Sequence, residues 1–161
     1  MRLLVLSDLH LEVWGDRSPP IDTSASRPDA VILAGDIHTK GRAPAWAADT
    51  FPGIPVLYIA GNHEFYGGTI DKAGPAIRQA CKIHDNVHYL DCDEYVLPGV
   101  RFLGATLWTD FGLFGAGRKR VAMRTAGDVM NDYHRIKTTS PMYRKLPPWT
   151  QSGSTHKRRP G

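Results

Sequence analysis

Three short stretches of this 161-residue chain carry residue types that can hold a cation. They are Asp8-Leu9-His10, Gly35-Asp36-Ile37-His38 and Gly61-Asn62-His63-Glu64. Carboxylate, imidazole and amide oxygen together make a mixed oxygen and nitrogen donor set. Such a set suits Mn, Fe, Zn, Co or Ni better than Mg or Ca, which prefer oxygen alone. A carboxylate at its centre can bridge two cations, and metals roughly 3.5–4 Å apart suit in-line phosphoryl displacement because they stabilise both the attacking and the leaving oxygen. Asp-x-His by itself carries little weight in a chain with 13 Asp and 7 His, whereas Gly-Asn-His is uncommon where there are 3 Asn. Position gives the set its force, because each motif follows directly on an apolar run.

Those runs are Leu3 to Leu6, Ala30 to Ala34 and Val56 to Ala60. Apolar at every position, each reads as a strand buried on both faces. Helices are expected between them over Ala43 to Thr50 and from Thr69 to about His84, where Thr69 caps and Ala73, Ile77, Ala80 and Cys81 form an apolar stripe. Strand, crossover, strand, crossover is an α/β pattern. In such a sheet the carboxyl ends of neighbouring strands converge on one rim, so side chains just past the strands share a crevice. Gly35 and Gly61 allow the sharp turn directly after a strand. Beyond Asn86 come shorter strand-like pieces, Val87 to Leu90, Glu94 to Leu97 and Arg101 to Trp108, which read as an antiparallel continuation. The stretch from Ala116 to about Tyr133 fits either a helix interrupted at Gly127 or a long loop.

With 42% hydrophobic and 22% charged residues, the composition is that of a globular protein. The net charge of +4 is unevenly spread. Residues 1–136 hold 14 Lys and Arg against 16 Asp and Glu, while residues 137–161 hold six cations (Lys137, Arg144, Lys145, Lys157, Arg158 and Arg159) and no acid. That last segment, rich in Pro, Ser and Gly, lacks the apolar groups for a core of its own and is expected to be a disordered basic tail. The folded part is therefore slightly acidic, so nucleic acid enters only as a substrate or through the tail. The opening apolar run is too short for a signal-peptide core or a membrane span, and the expected compartment is the cytoplasm. Cys81 and Cys92 read as free thiols.

Ser7-Asp8-Leu9-His10, Gly35-Asp36-Ile37-His38 and Gly61-Asn62-His63-Glu64-Phe65-Tyr66-Gly67 resemble the first three motif blocks of the calcineurin-like metallophosphoesterases. Ala105-Thr106-Leu107-Trp108-Thr109-Asp110 resembles a later strand of the small bacterial members. The resemblance covers about residues 1–136. It implies an α/β sandwich of mixed sheets flanked by helices, two divalent or trivalent metal ions (Mn, Fe, Zn, Co or Ni), and hydrolysis of phosphate mono- or diesters by a metal-activated hydroxide. By the same resemblance Asp8 and His10 hold the first metal, Asp36 bridges, Asn62 holds the second metal, and His63 is the acid that protonates the leaving oxygen or steadies the transition state.

Two parts of the family pattern are missing: a further histidine after a later strand, and a Gly-His-x-His block. His84, His88, His134 and His156 read as surface or local structural residues, and His38 as a neighbour of the site or an outer-shell group. The second metal is then left with Asp36 and Asn62, and the fold is expected to be incomplete on its C-terminal side with apolar surface uncovered. A gene truncated or frameshifted after about Ile136, with the sequence from around Leu146 foreign to the family, accounts for both. The expected organisation is a partial phosphoesterase domain over 1–136 and a basic tail over 137–161. Three readings stay open: a competent hydrolase, a metal-binding fragment with little turnover, and a nucleic-acid binder acting through its tail. Trp14, Trp46 and Trp108 are expected to pack, Phe65 and Tyr66 to line the crevice mouth or pack, and Arg118, Lys119 and Arg120 to be solvated.

Overall fold

The structure, a computed structural model, describes residues 1–18, 20–138 and 145–148. Four strands, β1 (Leu3–Leu6), β2 (Ala30–Ala34), β3 (Val56–Ile59) and β4 (Val87–Tyr89), lie side by side in that order. All neighbours are parallel. The crossovers carry α1 (Leu11–Trp14), α2 (Ala43–Thr50) and α3 (Ile70–Cys81). The strand at Val87, expected to be antiparallel, is parallel because α3 returns the chain to the starting edge before β4 begins.

The central strands are apolar throughout because they are covered. Val31, Leu33, Val56 and Tyr58 are buried with Ala43, Ala47 and Phe51 of the α2 region and Ile77 and Cys81 of α3. The edge strand differs from the sequence expectation: Leu3 and Val5 are exposed, while Leu4 and Leu6 pack partly against the core. Edge position and one uncovered face turn an apolar run into a half-buried strand. Thr69 also departs from expectation. It caps α3 through its backbone carbonyl, which accepts from the Lys72 and Ala73 amides, and its buried hydroxyl has no hydrogen-bond partner among the described residues.

β5 (Asp93–Leu97) and β6 (Val100–Gly104) form an antiparallel hairpin through Pro98-Gly99, with Gly99 at φ +81°. β6 stops at Gly104, where a Cβ would strike the side chains of Leu90 and Ile59. Residues 105–110, expected to continue the strand, have no regular structure, since no strand lies beside them among the described residues. Thr106 instead donates its hydroxyl to the Ala60 carbonyl at 2.7 Å. α4 (Ala116–Val129) runs unbroken through Gly127, and α5 (Asp132–Arg135) follows. Arg118 and Arg120 are exposed on α4, with Lys119 partly so. Phe111, Ala126 and Tyr133 form a small second cluster there.

Leu146 is buried in the main core and its amide donates to the Ile136 carbonyl at 2.9 Å, so residues 145–148 pack on the domain. The remainder of the expected tail, 139–144 and 149–161, lies outside the described residues. No helix among the described residues is long and apolar enough to cross a membrane. Cys81 and Cys92 are free, and burial pushes the Cys81 thiol up to about 12, which keeps it unreactive.

Candidate metal centre

The loops after β1, β2 and β3 meet at one rim of the sheet. The first two run side by side: the amides of Asp8, His10 and Leu11 donate to the carbonyls of Gly35, Asp36 and Ile37 at 2.9–3.1 Å. Asp8, His10 and Asp36 take φ values of +55°, +46° and +55°. This left-handed backbone is uncommon for residues with a side chain and costs of order 1–3 kcal/mol each, least for Asp. The second and third loops touch through backbone. A Cβ on Gly35 would meet the Gly61 Cα and N at 3.0 Å, and a Cβ on Gly61 would fall on the Asp36 carboxylate and lie 2.7 Å from the Asp36 amide nitrogen. Both positions need glycine on steric grounds.

Beneath them lies Glu64, fully buried. Its Oε2 accepts from the amides of Asp36 (3.1 Å) and Gly61 (2.8 Å), and its Oε1 from the amide of Ile37 (2.9 Å) and the hydroxyl of Tyr58 (2.9 Å). Burial pushes the Glu64 pKa up, and the donated hydrogen bonds pull against it. Among the described residues four donors bond this side chain, an arrangement made for a carboxylate. Glu64 thus ties the Asp36 loop to the Gly61 loop.

Asp8, His10 and Asp36 present ligand atoms that all lie within 4.8 Å of one another. The Asp8 side chain is 70% exposed and stands 4.0 Å from His10 Nε2, which leaves one side of the group open. Asp36 is anchored, its Oδ1 accepting from the His63 amide at 2.9 Å. Two carboxylates beside an imidazole repel at neutral pH unless a cation joins them, so the donor set fits a metal of the Mn, Fe, Zn, Co or Ni type. Asn62 sits one residue before His63. Its amide nitrogen donates to the Tyr66 hydroxyl (3.1 Å) and to Asp132 Oδ1 (2.6 Å), and Tyr66 donates onward to the same oxygen (2.7 Å). With the nitrogen committed, the amide oxygen is the atom Asn62 has left to offer. Burial and then the bond to Asp132 push the Tyr66 phenol up to about 12.

A second cluster shares His10. His63 Nδ1 lies 2.8 Å from Glu12 Oε1 and 3.1 Å from His10 Nδ1, and His10 Nδ1 lies 3.6 Å from Glu12 Oε1. The two rings meet edge to face at 4.2 Å, and His63 also lies on the Tyr66 ring at 4.2 Å. His38 Nδ1 stands 3.9 Å from Glu12 Oε2, a buried oxygen with no hydrogen-bond partner among the described residues. Burial pushes the Glu12 carboxyl up, but the hydrogen bond from His63 and the charges of His63 and His10 outweigh it and hold it below the usual range. Burial lowers the His38 pKa, against the pull of the Glu12 charge.

Of the sequence candidates, Asp8, His10, Asp36 and His63 come together, and Asn62 lies beside them with its side chain tied to Tyr66 and Asp132. Sequence reasoning missed Glu12, Glu64 and Asp132; a carboxylate within the largely apolar stretch 56–66 was the one visible sign, at Glu64. His88 stacks on Tyr95 at 4.2 Å, His84 is partly buried and His134 is exposed; none joins either cluster. His156 lies outside the described residues. Phe65 and Tyr66 are both buried, and Phe65 packs on Trp108. Trp46 packs on Phe51, whereas Trp14 is half-exposed.

A parallel sheet whose first three strands bring carboxylates, imidazoles and an amide to one rim makes this an α/β protein with a candidate cation site at that rim. The sequence pattern of the calcineurin-like phosphoesterases matches residues 1–145, and the chain belongs to that family. The resemblance read from the motifs is borne out, as is the α/β fold. The chain is also similar to the uncharacterized protein L509 of Acanthamoeba polyphaga mimivirus, with 26% identity over 87 residues that cover 51% of this chain and 29% of that protein. It therefore spans under a third of the length of that relative.

Proposed function

We propose that this chain hydrolyses phosphate mono- or diesters at a dinuclear metal site, with Asp8 and His10 on the first ion, Asp36 bridging and Asn62 on the second. The observation that carries this reading is the convergence of Asp8, His10 and Asp36 ligand atoms within 4.8 Å on the carboxyl rim of the sheet. The ions, when bound, supply Lewis-acid charge for the phosphate oxygens and an ionised water as nucleophile. The chain's own residues do the rest. Glu64 holds the Asp36 backbone through its amide, and the His63 amide holds the Asp36 carboxylate. Asp132 and Tyr66 hold the Asn62 amide nitrogen, which leaves its oxygen as the donor for the cation in this reading. The exposure of Asp8 leaves room for an ester, and His63 is the acid that gives a proton to the leaving oxygen. The proposed ligands all lie within residues 1–136, the basic segment over 137–161 packs on that unit through Leu146, and the compartment in this reading is the cytoplasm.

One observation favours a second reading. Among the described residues, the proposed assignment leaves only Asp36 and Asn62 for the second ion, too few ligands for tight binding, which fits a metal-binding protein with little turnover. The test is hydrolysis of p-nitrophenyl phosphate and bis(p-nitrophenyl) phosphate with added Mn²⁺, with Asp36→Ala and His63→Ala beside the wild type. Metal-dependent turnover lost in Asp36→Ala supports the first reading. Metal uptake without turnover supports the second and overturns the first.

A further inference from the structure

We infer that His10 Nδ1, His63 Nδ1 and Glu12 Oε1 form a cation site of their own, suited to zinc, apart from the Asp8–His10–Asp36 group. The three atoms make a triangle with edges of 3.1, 2.8 and 3.6 Å. Ligands at about 2.0–2.1 Å around a tetrahedral zinc lie about 3.3 Å from one another, so the triangle is one face of such a tetrahedron. Two histidines and a glutamate, with one position left open, is a donor set that zinc accepts.

Hydrogen bonding alone serves this triangle poorly. A neutral imidazole carries one N–H. When His63 Nδ1 holds the proton it donates to Glu12, and His10 Nδ1 is left with no donor directed solely at it. When both rings are protonated at Nδ1, two N–H groups face each other across 3.1 Å. A cation satisfies all three atoms at once. Glu12 Oε2 is itself buried without a hydrogen-bond partner among the described residues, with His38 Nδ1 3.9 Å from it.

The two sites share one ring, used from opposite sides. His10 Nε2 faces Asp8 at 4.0 Å, while Nδ1 faces His63. Zinc on the triangle engages the His63 ring, so it acts as a brake on hydrolysis; this consequence rests on the proposed role of His63, whereas the site itself does not.

The test uses the full chain with Asp8→Asn and Asp36→Asn, which disable the first group while keeping side-chain shape. Zinc is added alone, and stoichiometry is read by equilibrium dialysis with metal analysis, together with the imidazole ¹⁵N spectrum. The expected result is one zinc per chain, with His10 and His63 held as Nε2–H tautomers. A further Glu12→Gln change should weaken that zinc by roughly 100-fold or more, since even residues that only orient ligands cost 10–100-fold. His63→Gln, checked by circular dichroism for an unchanged fold, should do the same. No zinc in the Asp8→Asn, Asp36→Asn protein, or unchanged affinity in both added variants, overturns the site. These readouts need no turnover, so loss of the hydrolase reading leaves them intact.

Discussion

Gly61→Ala is the sharpest probe of how the rim is built. The added methyl lies on the Asp36 carboxylate and 2.7 Å from the Asp36 amide nitrogen, where ordinary contact needs at least 3.4 Å. The Asp36 loop must therefore retreat by about 0.7 Å or more, against the hydrogen bonds that Glu64 makes to both loops. Overpacking of this kind costs about 1–3 kcal/mol. The effect on metal is larger, because a functional site tolerates ligand distances within only about 0.2 Å. The same change at Gly117 serves as the control. That residue lies inside α4 with nothing within 4 Å of its added carbon, so alanine there should stabilise by about 0.5–1 kcal/mol. Urea unfolding at pH 7 reads the stabilities, and Mn²⁺ titration reads the site. The expected outcome is a fall in stability and loss of Mn²⁺ binding for Gly61→Ala, with normal binding and higher stability for Gly117→Ala. If Gly61→Ala keeps wild-type stability and Mn²⁺ affinity, the account of the two loops is wrong.

Other changes test separate contacts. Glu64→Ala leaves the amides of Asp36, Ile37 and Gly61 and the Tyr58 hydroxyl without partners and opens a cavity, so it should cost roughly 4 kcal/mol or more or fail to fold, as seen by circular dichroism and urea unfolding. Asp132→Ala frees Asn62 and Tyr66 and should weaken Mn²⁺ binding by about 10–100-fold with the fold retained, measured by titration. His88 has its pKa lowered by burial, so its neutral form is favoured in the folded state; the stability it supports is present above the ordinary value of 6.5 and lost as pH falls through the lower folded value. The stability gap between wild type and His88→Gln should therefore shrink between pH 7.5 and 5.5, and a constant gap would count against burial as the cause.

What could be read in advance depended on how local the cause was. The three strands and their motifs were legible because an apolar run followed at once by Asp, His or Asn is a short pattern. Leu3 to Leu6 and Ala30 to Ala34 look alike as strings, yet only the second is covered, a difference made by neighbours and not by the run itself. The direction of β4 depended on the path of α3. Glu12 reaches His63 across 51 positions, Glu64 reaches Ile37 across 27, and Asp132 reaches Asn62 across 70. No window of sequence contains such pairs. Glu12 and Asp132 are ordinary acids in mixed surroundings until the fold closes.

The left-handed backbone at Asp8, His10 and Asp36 sets durability against chemistry in this molecule. Each of the three would relax if its side chain were trimmed to glycine, and each trimming would strip a donor from the rim. A laboratory campaign that ranked variants by melting temperature alone would be drawn to these positions and would return a hardier protein with an emptied crevice. Any search for sturdier versions has to be scored on cation uptake at the same time.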